Sequence, residues 1–326
     1  MANLSFRVIA SALVASAQCA LMNCAMAQYP ESPIRLIIPF ASGSATDTSA
    51  RIYATALTRQ LGQQVIPDNR PGAGGAIGLE LLARSVPNGY TIGYAGAGPL
   101  SINRGASEKL PYDVDKDFAP ISQATDAPIM LAVSPVLQVK TVKELIALAK
   151  SKPGQLSNGS AGTGTIGHLA GELFKLMTDT RIEHIPYKGG AQAATDVIAG
   201  HVQLIFDPIN GVSTFVRSGK LVGLAVTGTS RLSSFPDLPT IAEAGVAGYE
   251  VTTWGGLIAP ARVPAAIIAR LSQEMRTAAA SKFVKDSYAP LGADPRGSTP
   301  EEFTTLIRKE TVKWANVMKR IEAKAK

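Results

Sequence analysis

A glycine-rich polar run leading into an amphipathic segment decides the fold: residues 157–176 read SNGSAGTGTIGHLAGELFKL. Gly162 and Gly164 let the backbone turn sharply and approach a ligand closely. Leu169 and Leu173 then recur at helical spacing, which predicts a helix that begins where the loop ends. The first N–H groups of a helix lack intrahelical partners and carry the positive end of its dipole. The stretch therefore predicts an anion site at a loop-to-helix junction.

The same run has two other interpretations. Residues 162–167, GTGTIG, match G-x-G-x-x-G, and Glu183 follows about twenty residues later, as in the dinucleotide fingerprint. Alternatively, the glycines form a turn that merely starts a helix. An exported protein meets little free nicotinamide cofactor, and the amino-terminus indicates export. We therefore favour a site for an anion or carboxylate over a dinucleotide site.

The amino-terminal segment, residues 1–27, has the features of a secretory signal peptide. Arg7 supplies the positive charge, a short apolar stretch follows, and AMA at the end predicts cleavage after Ala27. Both cysteines of the chain, Cys19 and Cys24, lie inside this segment, so we expect a periplasmic protein without disulfides. A lipid anchor at Cys24 is an open alternative, although the residue before it is not small.

The composition indicates a globular binding protein. The chain has 326 residues, 46% of them hydrophobic and 17% charged, which is enough for two separate cores. The net charge of +7 is spread, and no basic block carries interleaved aromatic residues, so we expect no nucleic acid partner. Three histidines without metal-ligand spacing, and the lack of a G-x-S-x-G motif or a P-loop, lead us to expect no metal, no cofactor and no enzyme.

Short apolar runs alternate with helical patterns along the chain, which predicts an α/β fold with mostly parallel sheets. The predicted strands are 34–39, 64–67, 90–94, 118–123, 129–133, 156–160, 181–187, 202–206, 221–226 and 249–259. Two stretches, 126–130 and 248–254, resemble connections between lobes. We expect a discontinuous first lobe, residues 28–128 and 249–326, and a second lobe, residues 129–248.

Two further loops have the composition of ligand loops. Residues 40–47, FASGSATD, follow the first predicted strand and precede a helix, so Asp47 is either a ligand residue or a plain helix cap. Residues 95–103 follow the third predicted strand and include Gly96. Ligands of open parallel sheets gather beyond the carboxyl ends of the strands, so we expect both loops to face one cleft.

The ordered motifs resemble those of the substrate-binding receptors of tripartite tricarboxylate transporters, the Bug receptors. The resemblance covers essentially all of the mature chain. It rests on YPESPIRLIIPF (29–40), NRPGAGGAIG (69–78), PNGYTIGY (87–94), LPY to FAPI (110–121), GTGTIGHLAGELFK (162–175), IPYKGGAQAATDVIAGHVQLIFD (185–207) and FPDLPTIAEAGVAGYEVTTWGGLIAP (235–260). In the family's first ligand loop, Pro-Gly-Gly stands where this chain has Ser42, Gly43 and Ser44, whereas Asp47 is kept.

The resemblance implies a two-lobed flytrap of the type II periplasmic binding protein class, with a sheet in each lobe and two crossing segments. It implies a monomeric receptor that captures a small carboxylate in the interlobe cleft and delivers it to membrane transporter subunits. The expected ligand-binding residues are Ser42, Gly43, Ser44, Ala45, Thr46, Asp47, Gly96, Ser160, Ala161, Gly162, Thr163, Gly164, Thr165, His168, Lys188 and Asp207.

Several functional alternatives stay open from the sequence. A sensor that passes its liganded form to a membrane signalling partner would use the same flytrap, and an enzyme acting on a periplasmic carboxylate is a third possibility. Dicarboxylates, amino acids, nicotinate-like acids and aromatic acids all fit as ligands. Trp254, at a predicted crossing, is either a stacking platform for an aromatic ligand or a core residue.

Overall fold

The computed structural model describes residues 29–105, 110–232, 234–291 and 293–325. The predicted signal peptide, with Cys19, Cys24 and the cleavage point at Ala27, lies outside the described residues. Within the described ranges, no helix is both long and apolar enough to cross a membrane.

Ten strands and nine helices of seven or more residues make up the described chain. The strands are β1 Ile34–Ile38, β2 Val65–Asn69, β3 Thr91–Gly96, β4 Phe118–Val133, β5 Leu156–Ser160, β6 Ile182–Pro186, β7 Leu204–Pro208, β8 Val222–Val226, β9 Thr252–Pro260 and β10 Asp294–Pro295. The helices are α1 Ala45–Leu61, α2 Ala76–Ala83, α3 Val142–Ser151, α4 Ile166–Thr178, α5 Gly190–Ala199, α6 Ile209–Arg217, α7 Ala265–Ala280, α8 Lys282–Tyr288 and α9 Pro300–Ala325.

The strands form one sheet of two halves, in the order β2-β1-β3-β9-β4-β7-β5-β6, with β8 and β10 also paired to β4. In the first half β2, β1 and β3 are parallel, and in the second half β6, β5 and β7 are parallel. The long strands β4 and β9 run antiparallel to their neighbours. The α/β two-lobed class is confirmed; the sheet is mixed rather than mostly parallel because both crossing strands pass through its middle.

One strand, β4, belongs to both halves. The sequence predicted two strands here, broken near Pro128, but the chain is extended from Phe118 to Val133. Pro128 is the last β4 residue paired with β9, and Ile129 is the first paired with β7. Proline lacks the N–H that a ladder needs, so it is tolerated where one ladder ends and the next begins. The predicted lobe boundaries, residues 28–128 with 249–326 and residues 129–248, stay a prediction.

Aromatic side chains fill the cores on the two faces of the sheet. Tyr53 and Tyr288 pack together in the core under α1, α7 and α8, with ring centroids 6.0 Å apart. On the opposite face, Trp254 of β9 meets Phe303 of α9 edge-on at 5.7 Å. Because all four side chains are almost fully buried, the crossing strands are held rigidly between α9 and the first-half helices.

Candidate functional site

A cavity of about 290 Å³ lies between the two halves of the sheet. Its walls come from the loop after β1, the end of β3, the crossing strands and the helix starts of the second half. The halves meet at its edges: the Asn210 amide donates to the Ala45 carbonyl oxygen at 3.5 Å, and the backbone of Gly164 lies against the side chain of Asn103. The two halves therefore touch at the edges of the cavity.

Half of the residues predicted from the sequence line this cavity. They are Gly43, Ser44, Ala45, Thr46, Gly96, Ala161, Thr165 and Asp207. The other eight do not belong to its lining: Ser42, Asp47, Ser160, Gly162, Thr163, Gly164, His168 and Lys188. The first group lies at strand ends and helix starts, where the chain faces the opposite half, whereas the second group shapes or flanks the loops.

Three helices of the second half begin at the cavity without a side-chain cap. Helix α4 begins after Thr165, α5 after Gly189 and α6 after Pro208, and none of these residues caps its helix. The hydroxyl of Thr165 instead donates to the Gly162 carbonyl oxygen at 2.7 Å. The N–H groups of an uncapped first turn need a partner, and the helix dipole favours a negative one. Three uncapped starts at one cavity are an arrangement that favours a negatively charged group there.

The start of α1 is satisfied by the chain itself. Ser44 caps it by accepting a hydrogen bond from the Asp47 N–H at 3.2 Å. Asp47 is buried and its carboxylate accepts hydrogen bonds from the Gly43 N–H, Arg51 and Asn69. Burial pushes the pKa of Asp47 up, but these donors outweigh it and the pKa is lowered. Asp47 therefore holds the loop and lies outside the cavity lining, and its role as a ligand residue stays a prediction.

A pair of histidines supports the second ligand loop from behind. The rings of His168 and His184 pack against each other, tilted by 34°, with centroids 4.0 Å apart. His168 Nδ1 accepts from the Gly164 N–H at 3.2 Å, and His184 Nε2 lies 2.7 Å from Ser160 Oγ. Ser160 Oγ also accepts from the Gly162 N–H at 3.1 Å. Ser160 and His168 thus fix the conformation of the loop instead of facing the cavity.

Burial is the main reason that both imidazoles stay neutral. Burial followed by Lys175 lowers the pKa of His168 to about 4. Burial followed by His168 lowers the pKa of His184 to about 4. Neutral rings can accept the hydrogen bonds described above, whereas a protonated His168 could not accept from Gly164.

The remaining predicted residues, two loop glycines and three exposed polar residues, lie outside the cavity lining. Gly162 and Gly164 adopt φ values of 129° and 76°, which place their backbones in the turn itself. Lys188, Thr163 and Ser42 are exposed and do not belong to the lining.

Asp207 is a carboxyl group without a partner in the cavity wall. It is 7% exposed, and burial alone raises its pKa to about 7. Its carboxylate lies between two backbones: a Cβ added at Gly190 would come within 2.7 Å of Oδ1, and one added at Gly211 would overlap Oδ2. Only glycine at both positions leaves room for the carboxylate, so the helix starts of α5 and α6 closely surround it.

Polar atoms of the crossing strands also reach the cavity. Trp254 Nε1 is buried and has no hydrogen-bond partner among the described residues. The hydroxyls of Tyr94 and Thr125 lie in a cluster with Ser49 and Tyr288, yet neither forms a hydrogen bond of normal geometry with a described residue.

The described lining contains no arginine, lysine or histidine. An anion in this cavity would be held by backbone N–H groups, hydroxyls, an amide and an indole. The sequence singles out Trp254 as a stacking platform or a core residue. The sequence motifs could not show Thr125, Thr253, Asn210 or Gly211, because single residues in strands and helices carry no pattern. Their one common signal is position: each follows or precedes a predicted crossing or strand end.

Comparison with known proteins identifies the family. The model of the tripartite tricarboxylate transporter family receptor matches residues 49–323. The chain belongs to this receptor family. Protein BugT of Bordetella pertussis is 36% identical to the receptor over 299 residues, which cover 91% of the receptor and 92% of BugT.

Solved structures agree with this assignment. The R. palustris protein Rpa4515 with adipate is 34% identical, with a TM-score of 0.88 over 90% of the receptor and 98% of that chain. MatC of Rhodopseudomonas palustris with bound malate is 28% identical, with a TM-score of 0.84 over 89% of the receptor and 99% of that chain. The predicted family and fold are thereby confirmed.

Proposed function

We propose that the receptor captures a small carboxylate between its two halves and delivers it to a tripartite tricarboxylate-type membrane transporter. The observation that carries the proposal is the convergence of three uncapped helix starts on one cavity without cationic side chains. Such starts bind a carboxylate through backbone N–H groups, and the hydroxyls and the indole around them complete its hydrogen bonds.

The ligand class follows from the shape of the site and from the solved relatives. A cavity of about 290 Å³ suits a small molecule, and polar groups line it at both ends: Ser44 and Thr46 in the first half, Thr165 in the second. Two related structures are named with adipate and malate. We therefore place a dicarboxylate first among the candidate ligands, with one carboxylate near the second-half helix starts.

The export signal at residues 1–27 supports a role in the periplasm after cleavage at Ala27. We propose that the mature protein works as a monomer without a cofactor and releases its ligand unchanged. A bound carboxylate recovered intact after prolonged incubation, as judged by NMR of the solution, agrees with a receptor. A product in that spectrum contradicts this proposal and indicates an enzyme.

Thermal melting against a carboxylate panel tests ligand capture. Mature protein, residues 28–326, is stripped of ligand by unfolding and refolding and then melted with succinate, malate, adipate, glutamate, nicotinate and benzoate. A ligand at a hundred times its dissociation constant stabilises by about 2.7 kcal/mol. For a chain of this size that raises Tm by at least about 2 °C. No shift with any acid, from protein whose refolding is complete, contradicts the proposal.

A pair of matched variants tests the role of the helix starts. Ala191→Asp adds a carboxylate at the start of α5, inside the cavity lining, and should reduce carboxylate affinity by at least about tenfold through like-charge repulsion. Gln192→Asp adds the same charge in the same turn, at an exposed position outside the lining, and should bind normally. Equal affinity of the two variants would contradict anion binding at this start.

A further inference from the structure

We propose that Asp207 binds in its neutral form and donates a hydrogen bond to a carboxylate of the ligand, so that binding takes up one proton from the solvent wherever the free carboxyl is ionised. The inference rests on the proposed function, because it requires that the ligand is a carboxylate. It assigns Asp207 the role of a residue that determines both specificity and the pH range of binding.

The position of Asp207 makes its protonation state matter. Asp207 is the one Asp or Glu among the described lining residues. No described residue donates a hydrogen bond to its carboxyl group or forms an ion pair with it. An ionised Asp207 beside an anionic ligand would place two like charges in one desolvated site. A proton shared between the two carboxyl groups removes that repulsion and supplies the missing hydrogen bond.

A cationic group on the ligand is the competing way to satisfy Asp207. The surroundings disfavour it, because Gly190 at the start of α5 and Gly211 in the first turn of α6 lie beside the carboxyl, and α4 begins at the same cavity. Each helix start presents the positive end of a dipole, which repels an ammonium group. A neutral carboxyl next to an anion is compatible with these dipoles.

Other titratable groups do not face Asp207. The elements packed against its strand, β7, are β4, β5, α4, α5 and α6; β5 carries no titratable side chain, and the charged side chains of the others are engaged elsewhere. These are Asp126 with Arg296, His168 and Lys175 with Glu172, Asp196 with Tyr187, and Arg217 on the ring of Phe235. Burial is the only cause of the raised pKa of Asp207, which lies at about 7.

The proposal gives a defined pH dependence. The protonated form of Asp207 binds, and its fraction falls tenfold for each pH unit above its pKa. With a pKa of about 7 in the free protein, affinity should fall about fiftyfold between pH 7 and pH 9. The histidines behind the loop, with pKa values of about 4, stay neutral throughout this range.

Calorimetric titration of the mature protein with succinate, malate and adipate tests the proposal. Titrations at pH 7, 8 and 9, each in two buffers of different ionisation enthalpy, report both affinity and proton uptake. We expect the fiftyfold decrease and uptake of about one proton per ligand at pH 9. Constant affinity without proton uptake overturns the inference and leaves the proposed function intact; failure of the wild type to bind any of the three acids, nicotinate or benzoate refutes both.

Variants assign the proton to one residue. Asp207→Asn keeps a neutral donor, so it should bind at pH 7 within about threefold of the wild type and lose the pH dependence. Asp126→Asn is the control, because burial also raises the pKa of Asp126 and its neighbours Thr125 and Ala127 line the cavity. It should keep the wild-type pH dependence. A folded Asp207→Asn protein that binds none of the acids overturns the assignment, and so does an Asp126→Asn protein whose affinity does not change with pH. If Asp207→Asn does not fold, the proton uptake of the wild type tests the proposal on its own.

Discussion

Replacing His168 should remove an acid sensitivity that is built into the second ligand loop. The His168 side chain is 14% exposed, packs against the ring of His184 and accepts a hydrogen bond from the Gly164 N–H. Burial, followed by Lys175, lowers its pKa to about 4. The unfolded chain therefore binds a proton at this residue near pH 6.5, whereas the folded protein binds one only near pH 4. Stability due to this residue must fall as the pH falls through that window.

The size of the effect follows from the two pKa values. Lowering the pH from 7 to 5 protonates His168 almost completely in the unfolded chain and about a tenth in the folded protein. The difference removes about 2 kcal/mol from the free energy of unfolding. His168→Gln lacks the titrating ring but retains an acceptor oxygen for the Gly164 N–H. The variant should therefore lose about 2 kcal/mol less than the wild type over this pH interval.

Urea denaturation at pH 7 and pH 5 measures the effect as a difference of differences. The other acidic and basic groups contribute to both proteins and cancel to first order. His201→Gln is the matched control, since the His201 side chain is 73% exposed, and it should follow the wild type. If His168→Gln and the wild type lose the same free energy between the two pH values, the neutral histidine pair is not what stabilises this loop.

Three other substitutions give expected outcomes in the same protein. Gly211→Ala should lower the free energy of unfolding by about 1–3 kcal/mol, because its Cβ overlaps the Asp207 carboxylate; an unchanged urea midpoint would contradict this. Trp254→Phe should lower carboxylate affinity about tenfold in calorimetry, since Trp254 lines the cavity and its indole N–H has no hydrogen-bond partner among the described residues; equal affinity would show that the ligand does not use it. Asp47→Asn should cost about 1–3 kcal/mol at pH 7, and the deficit should shrink below about pH 4, because the lowered pKa of Asp47 means that its contribution is lost as it is protonated; a deficit that persists in acid would refute the ion-pair explanation.

Local apolar runs predicted most of the fold because buried strands and helices require apolar residues at regular positions in the sequence. Residues 34–39, 156–160 and 221–226 were expected to be strands, and β1, β5 and β8 occupy these stretches within a residue or two. The break near Pro128 was wrong. A proline in the sequence shows only that its backbone lacks an N–H for strand pairing. Whether the strand continues past Pro128 depends on the change of partner from β9 to β7, and these strands lie far away in the chain.

The site was half predictable for the same reason. Ser44 and Thr165 lie beside glycine-rich loops at helix starts, which local composition marks. Asp47 and His168 stand in the same loops, yet their side chains turn inwards to hold the backbone. Sequence gives no information on that direction. Thr125 and Trp254 reach the cavity only because β4 and β9 cross together between the halves, a consequence of topology.

The course of β4 also orders the assembly of the molecule. Strands β4 to β8 follow one another in sequence, so the second half of the sheet can close once Val226 has left the ribosome or the export channel. In the first half, Asp126 of β4 pairs with Trp254 of β9 and Asp294 of β10. These pairs cannot form until the last third of the chain has been synthesised. Contacts so distant in sequence form slowly, because the entropy of closing a long loop is lost before the contacts can stabilise the chain. The first half therefore matures last, and the pocket it shares with the second half exists only once nearly the whole chain has been delivered.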